Sequence, residues 1–263
     1  YNDPEQRETE IKNISSVYKT LADEILPQLR RARLTANYDV IGRSDEEINE
    51  AFDTDAKVLS ANELLYAATL TNDKARQEAI YKKTTELYPN DFRAYNNLGM
   101  MAYANGDFTT AENYFKQAAS KDANAPEVNT NLGYIELVKG NVANAETYLS
   151  KSTGANTANE ALGNLYIKQG QYDRAVQAFG DTKTNSAALA QILAKDYNKA
   201  KNTLNAVKNP DAYTDYLMAI VGARTNNADL VKTSMAKVAQ KDATLAAKAQ
   251  IDREFAKYAN EIK

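Results

Sequence analysis

The chain has 263 residues and a formal charge of -3, from 32 Lys plus Arg against 35 Asp plus Glu, and 43% of it is hydrophobic, ample for a continuous core. It holds no His and no Cys, which excludes Ser-His-Asp and Cys-His catalysis, zincin chemistry, thiolate nucleophiles, disulfides and cysteine zinc sites. The near-neutral balance supplies no basic field for a nucleic acid, and no apolar run approaches the roughly 20 residues that span a bilayer. The expectation is a chain without catalytic residues, cofactor or metal. It opens on Tyr1 rather than Met and reads as a piece of a longer protein, so compartment is not inferred from a missing leader.

From the N-terminus, "IKNISSVYKTLADEILPQL" (11–29) places Val17, Leu21, Ile25 and Leu29 on one helical stripe ending near Pro27. After the basic "RRAR" of Arg30, Arg31 and Arg33, the residues Leu34, Ala36, Tyr38 and Val40 alternate with polar neighbours, the period of a lone strand. A lone strand needs a partner, and a second copy of this chain is one candidate, giving a homodimer through the N-terminal strand. Two capping boxes follow, Ser44-Asp45-Glu46-Glu47 and Ser60-Ala61-Asn62-Glu63. The first opens a short bridging helix through Phe52 and the second opens a repeating region. The sequence therefore divides into an N-terminal helix and strand segment, 1–56, and a repeat domain, 57–263.

The repeat is explicit from residue 92 onward. Leu98, Gly106, Ala111 and Phe115 recur 34 residues later as Leu132, Gly140, Ala145 and Leu149, and 30 residues after that as Leu162, Gly170, Ala175 and Phe179. Ala200 and Leu204 continue the series at a spacing of 25, then Val231 and Met235 at 31, while Leu64 and Tyr81 precede it by 34. Within a copy, Gly99 and Ala111 sit on two segments parted by Gly106-Asp107, a turn followed by an N-cap, with Tyr95, Leu98, Phe108 and Phe115 as buried bulk. That is a helix hairpin, and hairpins that cannot bury both apolar faces alone must stack. Asn124 is placed as a cap, Pro126 in a first helical turn and Glu127 at the positive end of the next helix.

The pattern, Leu-Gly in the first helix, Gly-Asp or Gly-Gln at the turn and Ala-x-x-x-Phe in the second, resembles the tetratricopeptide repeat family from about Lys57 to the C-terminus. The stretch "ELYPNDFRAYNNLGMMAYANGDFTTAENYFKQA" (86–118) is its most typical copy. The resemblance implies an all-α fold, a right-handed α-α superhelix of five to six hairpins. Copies depart from the pattern where Asn129 replaces an aromatic residue and Ala187-Ala188 replaces Leu-Gly, and shortened copies near 152–158 and 180–187 must trim a helix or loop. "TLAAKAQIDREFAKYANEIK" (244–263) lacks a partner helix and is expected to cap the last hairpin. The N-terminal helix with "LRRARLTANYDVIG" resembles the closing helix and strand of OmpA-like domains, as in Bacteroidetes envelope proteins that join such a region to tetratricopeptide repeats. That resemblance implies a periplasmic or outer-membrane-associated location in the cell envelope. The family's Asn-x-x-Leu-Ser-x-x-Arg-Ala helix has no match, so peptidoglycan binding is not expected.

First helices of such hairpins line a concave face. Spacing from the Leu-Gly landmark puts Asn97, Met100 and Tyr103 there, then Asn131, Tyr134 and Leu137, then Asn164, Ile167 and Lys168, and later Tyr216, Ile220 and Arg224. Amides along a groove can hold a peptide backbone, or they can satisfy neighbouring helix ends. A terminal-carboxylate clamp of Lys, Arg and Asn is not expected, because "ANTANEALG" holds no cation where one is required. The expected function is a non-catalytic scaffold for a protein or peptide partner; the alternative is a structural spacer or self-association module of a larger envelope protein.

Overall fold

The structure, a computed structural model, describes residues 3–13, 19–25, 42–260 and 262. It divides into two compact units, Tyr1–Arg43 and Ser44–Lys263. In the first unit α1 spans Pro4–Asn13 and a π-helical turn spans Leu21–Ile25, with Ile25 exposed. Val17, Leu29, the Arg30, Arg31 and Arg33 cluster and the alternating run Leu34–Val40 lie outside the described residues, and the strand-paired dimer with them.

The second unit opens at Ser44, whereas the sequence reading divides the chain after residue 56. Helix α2 (Asp45–Asp55) starts from a complete capping box on Ser44, and its Ile48 is buried with Leu59, Leu64 and Ile80. Six hairpins follow: α3 (Ala61–Ala67) with α4 (Lys74–Leu87), α5 (Phe92–Ala104) with α6 (Phe108–Lys121), α7 (Pro126–Lys139) with α8 (Val142–Leu149), α9 (Ala158–Lys168) with α10 (Tyr172–Phe179), α11 (Asn185–Leu193) with α12 (Tyr197–Asn205), and α13 (Ala212–Arg224) with α14 (Ala228–Lys241). This is the all-α superhelix of stacked hairpins that the repeat implies. Among the described residues there is no strand, and no helix is long and apolar enough to cross a membrane.

Every hairpin after the first closes by the same backbone device. After the first helix one residue takes positive φ, and the next N–H returns to a carbonyl five residues back: Asp107 to Ala102 at 3.0 Å, Asn141 to Glu136 at 2.8 Å, Gln171 to Tyr166 at 2.8 Å, Asp196 to Gln191 at 2.9 Å and Asn227 to Gly222 at 2.9 Å. These bonds satisfy carbonyls that the helix end would otherwise leave open. Gly106, Gly140 and Gly170 hold the positive-φ position in three hairpins; Lys195 and Asn226 hold it in the last two.

A second device sets the distance between paired helices. A Cβ added to Gly99 would lie 2.5 Å from Phe115, one on Gly133 2.5 Å from Leu149, and one on Gly163 2.5 Å from Phe179. Leu98, Leu132 and Leu162 precede these three glycines, so they occupy equivalent places in consecutive hairpins. Stacking then buries what the hairpin leaves open: Phe115 and Ala118 of α6 share a core with Val128, Leu132 and Ile135 of α7, and Leu137 and Leu149 share one with Ala161 and Leu165 of α9. Each such side chain contributes roughly 1.5–3 kcal/mol by leaving water.

The shortened copies trim their second helices, which have 8 residues in α8 and α10 against 14 in α6. Asn129 replaces the expected aromatic with a latch, its Nδ2 donating to the carbonyls of Ala123 and Ala125. Asn124 does not cap α7: the N-cap is Ala125, which makes no side-chain cap bond, and Pro126 at the first helical position removes one of the N–H groups that a helix start leaves open. The C-terminal segment is not one continuous helix. α15 (Ala243–Ala249) ends, Asp252 caps a separate 3-10 helix (Arg253–Tyr258), and Phe255, Tyr258 and Ile262 complete the core of the last hairpin.

Candidate functional site

Three consecutive first helices, α5, α7 and α9, carry nine of the residues selected from the sequence. Their side chains do not all do the same thing.

Four of them, Met100, Tyr103, Asn131 and Tyr134, line one pocket, with Asn164 in reach of Tyr134 and Asn97 directed to its neighbour on α4. Asn97 lies within hydrogen-bonding reach of the Tyr81 hydroxyl on α4. Met100 is 43% exposed. The Tyr103 ring meets Phe108 edge-on at 5.2 Å and Tyr134 at 6.4 Å. Asn131, only 8% exposed, donates from Nδ2 to Asn96 Oδ1 at 2.8 Å, tying α7 to α5. Tyr134 is in reach of Asn164, whose own Nδ2 donates to the Glu160 carbonyl at 3.0 Å. Burial raises the pKa of Tyr103, and it raises that of Tyr134 further, with the Glu160 carboxylate adding to the shift. Both phenols therefore remain neutral donors at physiological pH.

Met100, Tyr103, Phe115, Asn131, Tyr134 and Thr157 enclose a pocket of about 100 Å³. It draws on three successive hairpins: Met100, Tyr103 and Phe115 belong to the second, Asn131 and Tyr134 to the third, and Thr157 is the residue from which the fourth begins. Phe115 reaches it because Gly99 has no side chain in the way.

The remaining residues are placed differently. Leu137 is 6% exposed and packs with Ala145 and Leu149, so it is core. Ile167 packs against the cluster of Ala175, Phe179, Ala187 and Ala190, while Lys168 is exposed beyond it. On α13, Tyr216 donates its hydroxyl to Asp252, and its ring meets Phe255 edge-on at 5.5 Å. Arg224 makes a two-pronged pair with Glu254, Nε to Oε2 at 2.9 Å, and Ile220 is buried in the same core as Phe255. The chain's own C-terminal segment thus covers these three. Asn96, Thr157 and Glu160 were not selected from the sequence; Asn96 stands beside Asn97, and only the pairing across helices distinguishes the two.

Three family models described as tetratricopeptide repeat match the chain, at residues 80–113, 97–160 and 160–183. No curated protein matches it. Among solved structures, the chain resembles one in the APC/C hetero-tetramer Cut9-Hcn1, with a TM-score of 0.65, 15% identity, 82% of this chain covered and 44% of that one. It therefore spans less than half the length of that structure. It also resembles a tetratricopeptide repeat protein from Parabacteroides merdae, with a TM-score of 0.55, 12% identity and coverage of 83% and 90%. A third likeness is to PilW, a widely conserved type IV pilus biogenesis factor, with a TM-score of 0.52, 18% identity and coverage of 75% and 97%. At these identities the likeness is one of fold, and it agrees with the hairpin stacking described above.

Proposed function

We propose that this chain, a solenoid built on tetratricopeptide repeats, is a non-catalytic scaffold in the cell envelope. It captures a protein or peptide segment along the face of α5, α7 and α9. The observation that carries this reading is the convergence of Met100, Tyr103, Asn131 and Tyr134 on a pocket contributed by three hairpins, with Asn97 and Asn164 on the same first helices. Aromatic and thioether side chains that are rigidly backed yet reachable make good anchors, and amides give register to an extended backbone. A solenoid of similar fold within a hetero-tetramer is consistent with a partner-binding role. The envelope location follows from the OmpA-like N-terminal resemblance.

Tyr134→Ala and Asn131→Ala test the reading. Each is expected to weaken capture of a partner from envelope extract at least about tenfold, as removal of a central anchor does, while the helical circular-dichroism signal is retained. Unchanged capture by both variants would contradict it. A second reading, a structural spacer or self-association module, is favoured by the last hairpin, where Asp252 and Glu254 already engage Tyr216 and Arg224. Under that reading neither substitution affects any partner, and light scattering reports a concentration-dependent oligomer.

A further inference from the structure

The pocket walled by Met100, Tyr103, Phe115, Asn131, Tyr134 and Thr157 has three properties that together specify an occupant. The first is size. An apolar cavity of ~150 Å³ admits benzene, and this one, at about 100 Å³, suits a branched or linear aliphatic side chain and is too small for an indole. The second is a polar group. Asn131, a residue more than nine-tenths buried, lines the pocket, and its Nδ2 is spent on Asn96 Oδ1, which leaves the amide oxygen as its remaining hydrogen-bonding group. An amide oxygen accepts hydrogen bonds, and an extended segment seated over the pocket offers a backbone N–H.

The third property is charge. Glu160 stands in the first turn of α9, three residues past Thr157 of the pocket wall. Glu127 stands four residues before Asn131, one turn along the same helix face. Neither carboxylate has an ion-pair partner among the described residues, whereas Glu112 on the second helix of the neighbouring hairpin is held by Lys116 at 2.8 Å and Lys139 at 2.6 Å. The pocket also lies next to the acidic part of the solenoid: residues 44–150 carry 17 Asp plus Glu against 9 Lys plus Arg, and residues 151–263 carry 11 against 16. Glu112 is satisfied by its two lysines, whereas Glu127 and Glu160 are left for an incoming cation.

We propose that this pocket receives a single aliphatic side chain from a partner segment in which a Lys or Arg stands next to that residue. The cation pairs with Glu160, and Asn131 Oδ1 accepts the segment's backbone N–H. The proposal rests on the docking face assigned above and adds the chemistry of its occupant. It is opposite in sign to a clamp for a terminal carboxylate, which would need cations where the helices that wall this pocket carry Glu127 and Glu160.

The test uses the full chain labelled with 13C at its methionine methyls and three acetylated, amidated heptapeptides with centres Lys-Leu-Lys, Glu-Leu-Glu and Lys-Trp-Lys between Gly-Ser and Ser-Gly. The Lys-Leu-Lys peptide is expected to shift the Met100 methyl signal saturably and to leave that of Met235, buried in the last hairpin, in place. The other two peptides are expected to bind at least tenfold more weakly. Glu160→Lys, a change at a helix surface, is expected to weaken the Lys-Leu-Lys peptide about threefold or more, the scale of a partly exposed charge pair. A Met100 signal unmoved by millimolar Lys-Leu-Lys peptide overturns the proposal, as does equal or tighter binding of either competitor, or indifference to Glu160→Lys. If the peptide fails while Tyr134→Ala still abolishes partner capture, the occupant's chemistry is wrong and the docking face stands. If both fail, the face falls too.

Discussion

At Lys195 the backbone takes a φ of 65°, a conformation that costs an L-residue with a side chain roughly 1–2 kcal/mol. Gly106, Gly140 and Gly170 stand at the same point of earlier hairpins and avoid that cost. Lys195→Gly is therefore expected to raise stability by about 0.5–1 kcal/mol, after allowance for the extra freedom glycine has when unfolded. Urea denaturation checks this, and a lower midpoint would contradict the turn assignment. Asn226, with φ of 54°, belongs to a residue type that tolerates this region, so less is gained there. Residue-scale features were legible where chemistry leaves one choice. Glycine at a left-handed turn, or opposite Phe115, Leu149 and Phe179, is such a case. The same turn at Lys195 was not legible, because lysine advertises nothing about φ. The Asn96 to Asn131 bond was equally hidden, since it depends on how two hairpins stack and not on either one.

Among elements, the joint between consecutive hairpins carries a polar clasp as well as an apolar core. Glu112 of α6 accepts from Lys116 on its own helix and from Lys139 at the end of α7, and these hydrogen bonds hold its carboxyl below the usual glutamate range. A carboxylate depressed in the folded state stabilises at neutral pH, and that contribution is lost as pH falls through the depressed value. The clasp is at the surface, so its worth is at most about 1 kcal/mol. Glu112→Gln is expected to lower the thermal midpoint at pH 7 slightly and to have no effect once the wild-type carboxyl is protonated. A gap that stays constant or widens in acid would show that Glu112 acts by packing alone. Helix limits followed the sequence where a side chain caps, as at Ser44 and Ser60, whose capping boxes both form. They departed from it at Asn124, where the helix starts one residue later from Ala125 with Pro126 setting its first turn, and at the C-terminus, where Asp252 starts a new 3-10 helix inside the expected capping helix.

For the molecule as a whole, the solenoid of residues 44–263 places charge unevenly, with acidic excess before residue 150 and basic excess after it. On the proposed docking face, a partner segment laid along α5, α7 and α9 would meet this gradient as well as the aromatic pocket, and the proposal therefore predicts a preferred direction as well as a composition. The repeat made the architecture legible because a spacing of about 34 residues can only be served by a stacking unit. Of the residues selected by spacing, Met100, Tyr103, Asn131 and Tyr134 line one pocket, whereas Leu137 turns into the core, and Tyr216, Ile220 and Arg224 are covered by the chain's own C-terminal segment. That last outcome depends on a contact between distant parts of the chain, which spacing within one hairpin does not encode.

The most direct test of partner capture on this face is site-specific photocrosslinking in the native host, with a benzophenone side chain replacing Met100 on α5 or, as the control, exposed Gln117 on the second helix α6. The account predicts a discrete partner adduct from position 100 that Tyr134→Ala removes, and none from position 117. Equal adducts from both positions, or an adduct from position 117 alone, would contradict it.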